Sequence, residues 1–280
     1  MNWIITVVVI VVIGFILDRE IYFYEGVHLG PRVQAWLYNR WSKKYDEGKR
    51  ASQLQDDVML AQPLLDAMKD VPEPFVLDFA TGTGRLTHAL VSRPEFGGHI
   101  IALDLSQGML EKAASKLNPR AERGRSARSV ELLRHQSLPL PFPDATFDVV
   151  CALEVLELFP AMDDPLRELT RVLRPGGILL TSRGTEESGR KARIKSAKAL
   201  TALLEAHGFE RVQITRWWKL FDRVIAVKQG ASAPAGGKRL AEVLRCSICR
   251  KTQWKEAVET WQCQSCGRQL TITEQMIVLN

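Results

Sequence analysis

Residues 76–84 read VLDFATGTG, a short apolar run that leads into a glycine-rich turn. The run is typical of a buried strand, and a helical pattern over residues 85–91 begins directly after the turn. Gly82 and Gly84 have no Cβ, so the backbone there can approach a ligand closely. Open α/β sheets bind ligands beyond the carboxyl ends of their strands. The stretch therefore predicts a ligand-binding turn in a parallel sheet.

Strand and helix patterns alternate on both sides of this turn, which is typical of a doubly wound, mostly parallel α/β sheet. The expected strands cover residues 75–79, 99–103, 147–153 and 178–182, followed by an antiparallel pair at 212–217 and 223–228. The expected helices cover residues 85–91, 106–117, 165–173 and 194–207. A helical region over residues 21–72 precedes this domain, which we place at residues 73–228.

Asp104 ends the second expected strand and lies 20 residues after Gly84. A carboxylate at this place can accept hydrogen bonds from both hydroxyls of a ribose. A dinucleotide-binding fingerprint would have a third glycine where this chain has Thr87. The pattern therefore favours a ligand that contains a ribose, although it departs from the dinucleotide fingerprint.

Four motifs follow one another along the chain: Asp78-x-Ala80-x-Gly82-x-Gly84, Leu103-Asp104-Leu105-Ser106-x-x-Met109-Leu110, Leu140-Pro141-Phe142-Pro143-Asp144-x-x-Phe147-Asp148 and Leu173-Arg174-Pro175-Gly176-Gly177. In order and spacing they resemble the class I S-adenosylmethionine (SAM) dependent methyltransferases. The nearest resemblance is to the small-molecule branch that includes the ubiquinone/menaquinone methyltransferases. It implies a Rossmann-like fold and methyl transfer from SAM.

The resemblance also implies roles for particular residues. The methionine end of SAM would lie against Asp78, Ala80, Thr81, Gly82 and Gly84, the ribose against Asp104, and the adenine against Leu105, Met109 and Gln136. Gln136 stands where the family usually has an aspartate, and its side-chain carbonyl can still accept a hydrogen bond from the adenine amino group.

Only some methyl acceptors need a base. Glu154 and Glu157, near the end of the expected strand at residues 147–153, are the candidates for catalysis. A helix-facing or solvated carboxylate remains the alternative interpretation of both residues.

An uncharged apolar run extends from Trp3 to Leu17 and ends at Asp18. A bilayer-spanning helix needs about 20 apolar residues, so we expect residues 1–20 to form a transmembrane anchor with local thinning of the bilayer. A cleaved signal peptide agrees less well with this sequence than an anchor does, because no Lys or Arg precedes the run and no small-x-small cleavage pattern follows it. Basic residues follow the run, so we expect a single-pass membrane protein with a cytoplasmic catalytic domain.

Two Cys-x-x-Cys pairs lie near the C-terminus, at Cys246 and Cys249 and at Cys263 and Cys266. Their spacing is typical of a structural, four-thiolate zinc site and resembles a zinc ribbon. Disulfides or a redox dithiol are the alternatives. We expect a zinc-ribbon module over residues 241–280, joined by a flexible linker at 229–240 that includes the sequence QGASAPAGG.

The composition of the 280 residues, with 25% charged residues and a formal net charge of +6, excludes wholesale disorder and is only mildly basic. The leading hypothesis is a membrane-anchored SAM-dependent methyltransferase that acts on a lipid-like or quinone-like small molecule. An RNA methyltransferase that binds RNA through the zinc ribbon is a second hypothesis, which the membrane segment disfavours. A non-catalytic, membrane-tethered scaffold is a third.

Overall fold

The computed structural model describes residues 2–117, 130–136, 138–188, 194–273 and 276–279. Its helices are α1 (Asn2–Asp18), α2 (Pro31–Gln53), α3 (Gln62–Ala67), α4 (Arg85–Val91), α5 (Gln107–Leu117), α6 (Asp163–Val172), α7 (Ala197–Ala206) and α8 (Leu240–Val243). Its strands are β1 (Phe75–Phe79), β2 (His99–Asp104), β3 (Val130–Arg134), β4 (Phe147–Ala152), β5 (Leu173–Gly184), β6 (Phe209–Trp218), β7 (Phe221–Lys228), β8 (Trp254–Glu256), β9 (Thr260–Cys263), β10 (Gln269–Thr273) and β11 (Met276–Val278).

The strands form one sheet in the order β6-β7-β5-β4-β1-β2-β3-β11-β10-β9-β8. Strand β1 is central and pairs in parallel with both β2 and β4, whereas β7 runs antiparallel to β5 and β6. The chain builds outward from β1 through β2 to β3 and then returns to the other side of β1 as β4. The expected doubly wound α/β fold is therefore confirmed, and its topological switch point lies between β1 and β4.

The central strands are buried on both faces, which explains their largely apolar sequences. Every residue of β1 and β4 is buried, and Phe75, Phe142 and Phe147 are among the largest fully buried side chains. Helix α6 is strongly amphipathic and turns Leu166 and Leu169 into this core. This packing fixes the carboxyl ends of β1, β2 and β4 relative to one another.

The expected membrane anchor is wrong. No helix in the described part of the chain combines the length and apolar character that crossing a membrane requires. Helix α1 has 17 residues, which makes it ~26 Å long, whereas the hydrocarbon core of a bilayer is about 30 Å thick. The single-pass topology and the membrane location that we inferred from residues 1–20 are withdrawn with it.

Helix α2 lies across the carboxyl ends of the strands and packs on α5. The Asn39 side-chain oxygen accepts hydrogen bonds from the Ser106 hydroxyl at 2.7 Å and from the Gly108 backbone N–H at 2.9 Å. A Cβ on Gly108 would lie 2.8 Å from the Ser42 hydroxyl oxygen, so this close approach requires glycine. The N-terminal helical region thus covers the edge of the sheet where a ligand is expected.

The C-terminal strands continue the sheet beyond β3. Strand β11 pairs in parallel with β3, in the register Met276 to Leu132 and Ile277 to Leu133. The apolar side chains of this module join the core that contains Leu140 and Phe142. The preceding segment also contacts the central domain, because the Ala235 N–H donates a hydrogen bond to the Asp148 carboxylate at 2.9 Å.

Candidate active site

The turn after β1 adopts a left-handed backbone at three positions. Ala80 and Gly82 have φ of +57° and Gly84 has φ of +74°. The Thr81 N–H donates to the Leu103 carbonyl at 3.0 Å, and the Gly82 N–H donates to the Asp104 carboxylate at 2.8 Å. The structure therefore brings together the two elements that the sequence singled out, the glycine-rich turn and the acid that ends β2.

The Asp78 side chain stabilises this turn through hydrogen bonds. Its Oδ2 accepts hydrogen bonds from the hydroxyls of Thr81 and Thr87, each at 2.7 Å. Burial raises the pKa of Asp78, and the two hydroxyl donors oppose that rise. Thr87, which stands where a dinucleotide fingerprint has glycine, thus orients the acid of the first motif.

Asp104 is buried, with a donor on each carboxylate oxygen. The Ser106 N–H donates to Oδ1 at 2.8 Å, and the Gly82 N–H donates to Oδ2. Each oxygen keeps a further lone pair, the number needed to accept two ribose hydroxyls. Burial raises the pKa of Asp104 to about 6, although the backbone donors oppose that rise.

A cavity of about 340 Å³ lies at the carboxyl ends of β1, β2 and β4, under α2. Seven of the residues expected in the site border it: Ala80, Gly82, Asp104, Leu105, Met109, Gln136 and Glu154. Asp78, Thr81, Gly84 and Glu157 lie outside its lining. An added Cβ on Gly82 would meet no atom within 4 Å, so this glycine faces open space.

The two candidate bases lie in different surroundings. Glu154 follows β4 with φ of +55°, and its N–H donates to the Ser182 hydroxyl at 2.7 Å. Its carboxylate pairs with Lys49 and, at 3.1 Å, with Arg85. Glu157 is buried and borders a separate small cavity beside Arg183. Only Glu154 therefore faces the main cavity, where two cations hold it.

Helix α2 contributes lining residues that the sequence did not place in the site. Gln34, Tyr38 and Tyr45 border the cavity. Tyr38 and Tyr45 are seven residues apart, a helical spacing that puts them on one face and that could have identified them. The Tyr38 hydroxyl donates to Glu25, and burial raises the pKa of Tyr38, which keeps the phenol neutral.

The four paired cysteines converge in the C-terminal module. Their Sγ atoms all lie within 4.8 Å of one another. The Cys246 and Cys266 sulfurs are 3.6 Å apart, and those of Cys249 and Cys263 are 3.5 Å apart. Residues Arg250 and Gly267, each following a knuckle, have φ of +63° and +77°. The two knuckles thus turn alike, and their four sulfurs lie close enough together to bind one metal ion.

Comparison with known proteins gives this geometry a family context. Residues 77–181 match a family model described as a methyltransferase domain. The chain is 28% identical over 214 residues to the demethylmenaquinone methyltransferase of Lactobacillus johnsonii, a match that covers 64% of this chain and 86% of that enzyme. It is 32% identical over 146 residues to the demethylmenaquinone methyltransferase of Lactococcus lactis, covering 52% of this chain and 56% of that enzyme.

Residues 77–181 form a SAM-dependent methyltransferase domain. A solved SAM-dependent methyltransferase from Aquifex aeolicus superposes with a TM-score of 0.54 at 23% identity, covering 68% of this chain and 97% of that one. The [4+2]-cyclase SpnF superposes with a TM-score of 0.50 at 23% identity, covering 61% of this chain and 80% of that one. The fold alone therefore does not decide the reaction or the acceptor.

The family match thus covers the part of the chain that carries the glycine-rich turn and Asp104. The sheet places the cavity at the switch point between β1 and β4, where open α/β sheets bind ligands. Beyond the matched range, β6 and β7 complete the sheet on one side, and α2 covers the cavity from the N-terminal side.

Proposed function

We propose that the protein transfers a methyl group from SAM to a quinone-like small molecule. The observation that carries the proposal is that the cavity has one side with a carboxylate and bare backbone and another side that is apolar. Asp104 and Gly82 border one side, whereas Leu153, Val155 and Phe159 border the side next to β4. The demethylmenaquinone methyltransferases that this chain resembles act, by their names, on a quinone. A flat apolar acceptor suits the second side.

For the cofactor, we propose that Asp104 holds the ribose and that Leu105, Met109 and Gln136 lie against the adenine, since all four border the cavity. Ala80 and Gly82 would lie against the methionine part, while Asp78, Thr81 and Gly84 shape the turn. Bound SAM supplies a sulfonium methyl group that is already activated for displacement. The protein's residues then have to position the two reactants and exclude water.

Labelled-methyl transfer to a short-chain demethylmenaquinol tests this function. We expect the purified protein to label the quinol, and Asp104→Ala to lower the rate at least tenfold, because the ribose loses two charge-assisted hydrogen bonds. Asp66→Ala, on the surface-facing side of α3, is the matched control and should keep the rate. Label that enters added RNA but not the quinol would contradict the proposed acceptor.

We further propose that Cys246, Cys249, Cys263 and Cys266 bind one structural zinc ion. Four sulfurs within 4.8 Å of one another supply the full tetrahedral set, which leaves no coordination position for a reactant. Native mass spectrometry of the purified protein should show one zinc per chain. The Cys249→Ser variant should lose the metal. The Ser247→Ala variant, changed at an exposed site between Cys246 and Cys249, should retain it.

A further inference from the structure

Arg85 lies where the glycine-rich turn passes into α4, and its side chain reaches three other parts of the fold. It is the first residue of α4 and directly follows Gly84. Its guanidinium forms two hydrogen bonds with the Asp56 carboxylate, from Nε at 2.9 Å and from Nη2 at 2.8 Å. Nη1 donates to the Glu154 carboxylate at 3.1 Å, and Nη2 also donates to the Ser52 hydroxyl at 3.2 Å. The side chain thus links α4 to the end of α2, to the segment before α3 and to the loop after β4.

The surroundings of Arg85 strengthen these contacts. Its side chain is 12% exposed, that of Asp56 is 5% exposed and that of Glu154 is 14% exposed. The Trp217 ring lies over the guanidinium, with its centre 5.5 Å from Cζ. Hydrogen bonds between charged groups are stronger than neutral ones, and a buried site increases that strength. Because the guanidinium is planar and donates in fixed directions, Arg85 is suited to holding its two acids in fixed relative positions.

Glu154 meets Arg85 from a strained backbone conformation. Its φ is +55°, in the left-handed region that residues with a side chain rarely adopt. Its N–H donates to the Ser182 hydroxyl at 2.7 Å, and its carboxylate also pairs with Lys49, whose side chain is more exposed than that of Arg85. Strained residues persist only where the surrounding structure holds them, and they cluster at functional sites. Polar contacts therefore hold the loop after β4 in this conformation.

Glu154 belongs to the segment that forms the apolar side of the main cavity. Its neighbours Leu153 and Val155 border the cavity with it. Gly82, three residues before Arg85, borders the side proposed for the cofactor. One guanidinium therefore connects the wall proposed for the acceptor with the turn proposed for the methyl donor.

We propose that Arg85 is a positioning residue of the transfer reaction: through Glu154 it fixes the wall after β4 at the distance from the glycine-rich turn that brings the two reactants together. This inference rests on the proposed function and adds a residue that lies outside the lining of the cavity. Arg85 acts on the geometry of the site and touches neither reactant. Methyl transfer is an in-line displacement, so a shift of about 1 Å between the reactants can lower its rate about 100-fold.

Two variants separate this role from a general loss of stability. Arg85→Lys keeps a positive charge beside the buried Asp56, but a single ammonium group cannot also reproduce the directed contact with Glu154. Arg174→Lys is the matched control, because Arg174 is 8% exposed and pairs with the buried Asp148 near the amino end of β1. Both substitutions weaken a buried ion pair, whereas only Arg85→Lys alters a contact with the cavity wall.

The first test needs no methyl acceptor. Hydrogen exchange of the backbone amides is measured by mass spectrometry over residues 153–160, in the full-length protein saturated with S-adenosylhomocysteine. We expect Arg85→Lys to accelerate exchange over this segment about five- to tenfold, because the segment loses a contact that restrains local opening. Arg174→Lys should leave it at the wild-type rate. Wild-type exchange over residues 153–160 in Arg85→Lys would overturn the proposal.

The second test measures methyl transfer to a short-chain demethylmenaquinol. Arg85→Lys should lower kcat about 10- to 100-fold, because the reactants are bound but misplaced. The KM of the quinol and the affinity for S-adenosylhomocysteine should stay within about threefold, which also shows that the variant folds. Arg174→Lys should keep kcat within about twofold of the wild type. A loss of rate that arises entirely from a raised KM or a weakened cofactor affinity would contradict the positioning role.

A double-mutant cycle determines whether Arg85 acts through Glu154. In a Glu154→Met background the contact is already absent, so adding Arg85→Lys should lower kcat by less than about twofold. Independent losses that multiply in the double variant would show that Arg85 acts by another route and would overturn the inference.

The outcomes separate this inference from the proposed function. No methylation of the quinol by the wild-type protein, together with faster exchange in Arg85→Lys, contradicts the quinone-like acceptor and supports the restraint of the wall by Arg85. Methylation of the quinol at the wild-type rate in Arg85→Lys supports the proposed function and overturns this inference.

Discussion

Asp104 is the residue whose protonation state should govern cofactor binding. It is buried at the end of β2, and its pKa of about 6 lies above the usual value of a carboxyl group because burial disfavours the charged form. Nearby Asp78 raises this pKa further, and the donors from Ser106 and Gly82 lower it. Only the ionised carboxylate can accept hydrogen bonds from both ribose hydroxyls, since the neutral acid must donate one itself.

Cofactor affinity should therefore fall as the pH falls through 6. If only the ionised form binds, S-adenosylhomocysteine should bind roughly tenfold more weakly at pH 5 than at pH 8, because about one carboxyl in ten is then ionised. Isothermal titration calorimetry across this range measures the effect. Asp104→Asn should bind more weakly at every pH and show a flat profile. An unchanged slope in that variant would assign the titration to a group other than Asp104.

Gly84 gives a second prediction at the scale of one residue. Its φ is +74°, and an added Cβ would lie 3.0 Å from the Cβ of Ala113. Gly84→Ala should lower the free energy of unfolding by about 1–3 kcal/mol, because the left-handed backbone is strained for residues with a side chain. Gly97→Ala, where the added Cβ meets no atom within 4 Å, should change it by less than about 0.5 kcal/mol. Urea unfolding of both variants tests the difference, and equal effects would contradict it.

Among the secondary-structure elements, the central strands were the most predictable from the sequence. The expected limits of β1 are correct, and those of β2 and β4 differ from the structure by one residue, because largely apolar runs between turns are a strong local signal. Strand β3 was missed. Its sequence, VELLR, is short, and only Leu132 and Leu133 are buried, so its pairing with β2 and β11 decides its structure rather than its own pattern.

Helix α2 was expected as a helix, but its position over the cavity could not be predicted. That position depends on polar contacts between residues far apart in the sequence, which leave no periodic pattern. Asp46 accepts a hydrogen bond from the Thr83 hydroxyl at 2.6 Å, beside Gly82, and pairs with Lys116 of α5 at 2.8 Å. Asp46 thus links α2 to the glycine-rich turn after β1 and to α5, the helix that follows Asp104.

Asp46→Ala should release the middle of α2 from that turn. We expect S-adenosylhomocysteine to bind about fivefold more weakly, mainly through faster dissociation, because the two partly buried polar contacts to Thr83 and Lys116 contribute about 1 kcal/mol in total. Stopped-flow measurement of dissociation tests this expectation. Glu47→Ala, at the next and exposed position of the same helix, is the control. Equal dissociation rates in the two variants would show that α2 does not restrain the bound cofactor.

On the scale of the whole molecule, the sequence predicted the parts better than their arrangement. The ordered motifs around Gly82 and Asp104 predicted the methyltransferase domain, because each motif is local. The cysteine spacing predicted the converging sulfurs for the same reason. Pairing of β11 with β3 depends on register between segments distant in the chain, which no single stretch encodes. The prediction of an N-terminal membrane anchor was wrong because a membrane-spanning helix needs sufficient length as well as apolar character.

The continuous sheet connects the cysteine cluster to the wall of the main cavity. Strand β11 pairs with β3, and the chain after β3 enters the cavity wall at His135 and Gln136. The N–H of Arg245, the residue before Cys246, donates to the Pro141 carbonyl at 2.8 Å. A module of this size has a small core of its own, so a metal ion would supply much of the order in these strands.

Removing the metal ligands should therefore affect both stability and cofactor binding. We expect Cys249→Ser to lower Tm by roughly 5–10 °C, because an unfolded module no longer covers the apolar core beside Leu140. S-adenosylhomocysteine should bind about three- to tenfold more weakly, since the segment that carries Gln136 loses its neighbouring strand. Scanning calorimetry and titration of the same samples measure both effects, with Ser247→Ala as the control. Full cofactor affinity in a metal-free variant with a lowered Tm would mean that β3 holds the cavity wall without β11, and the module would then be a separate folding unit.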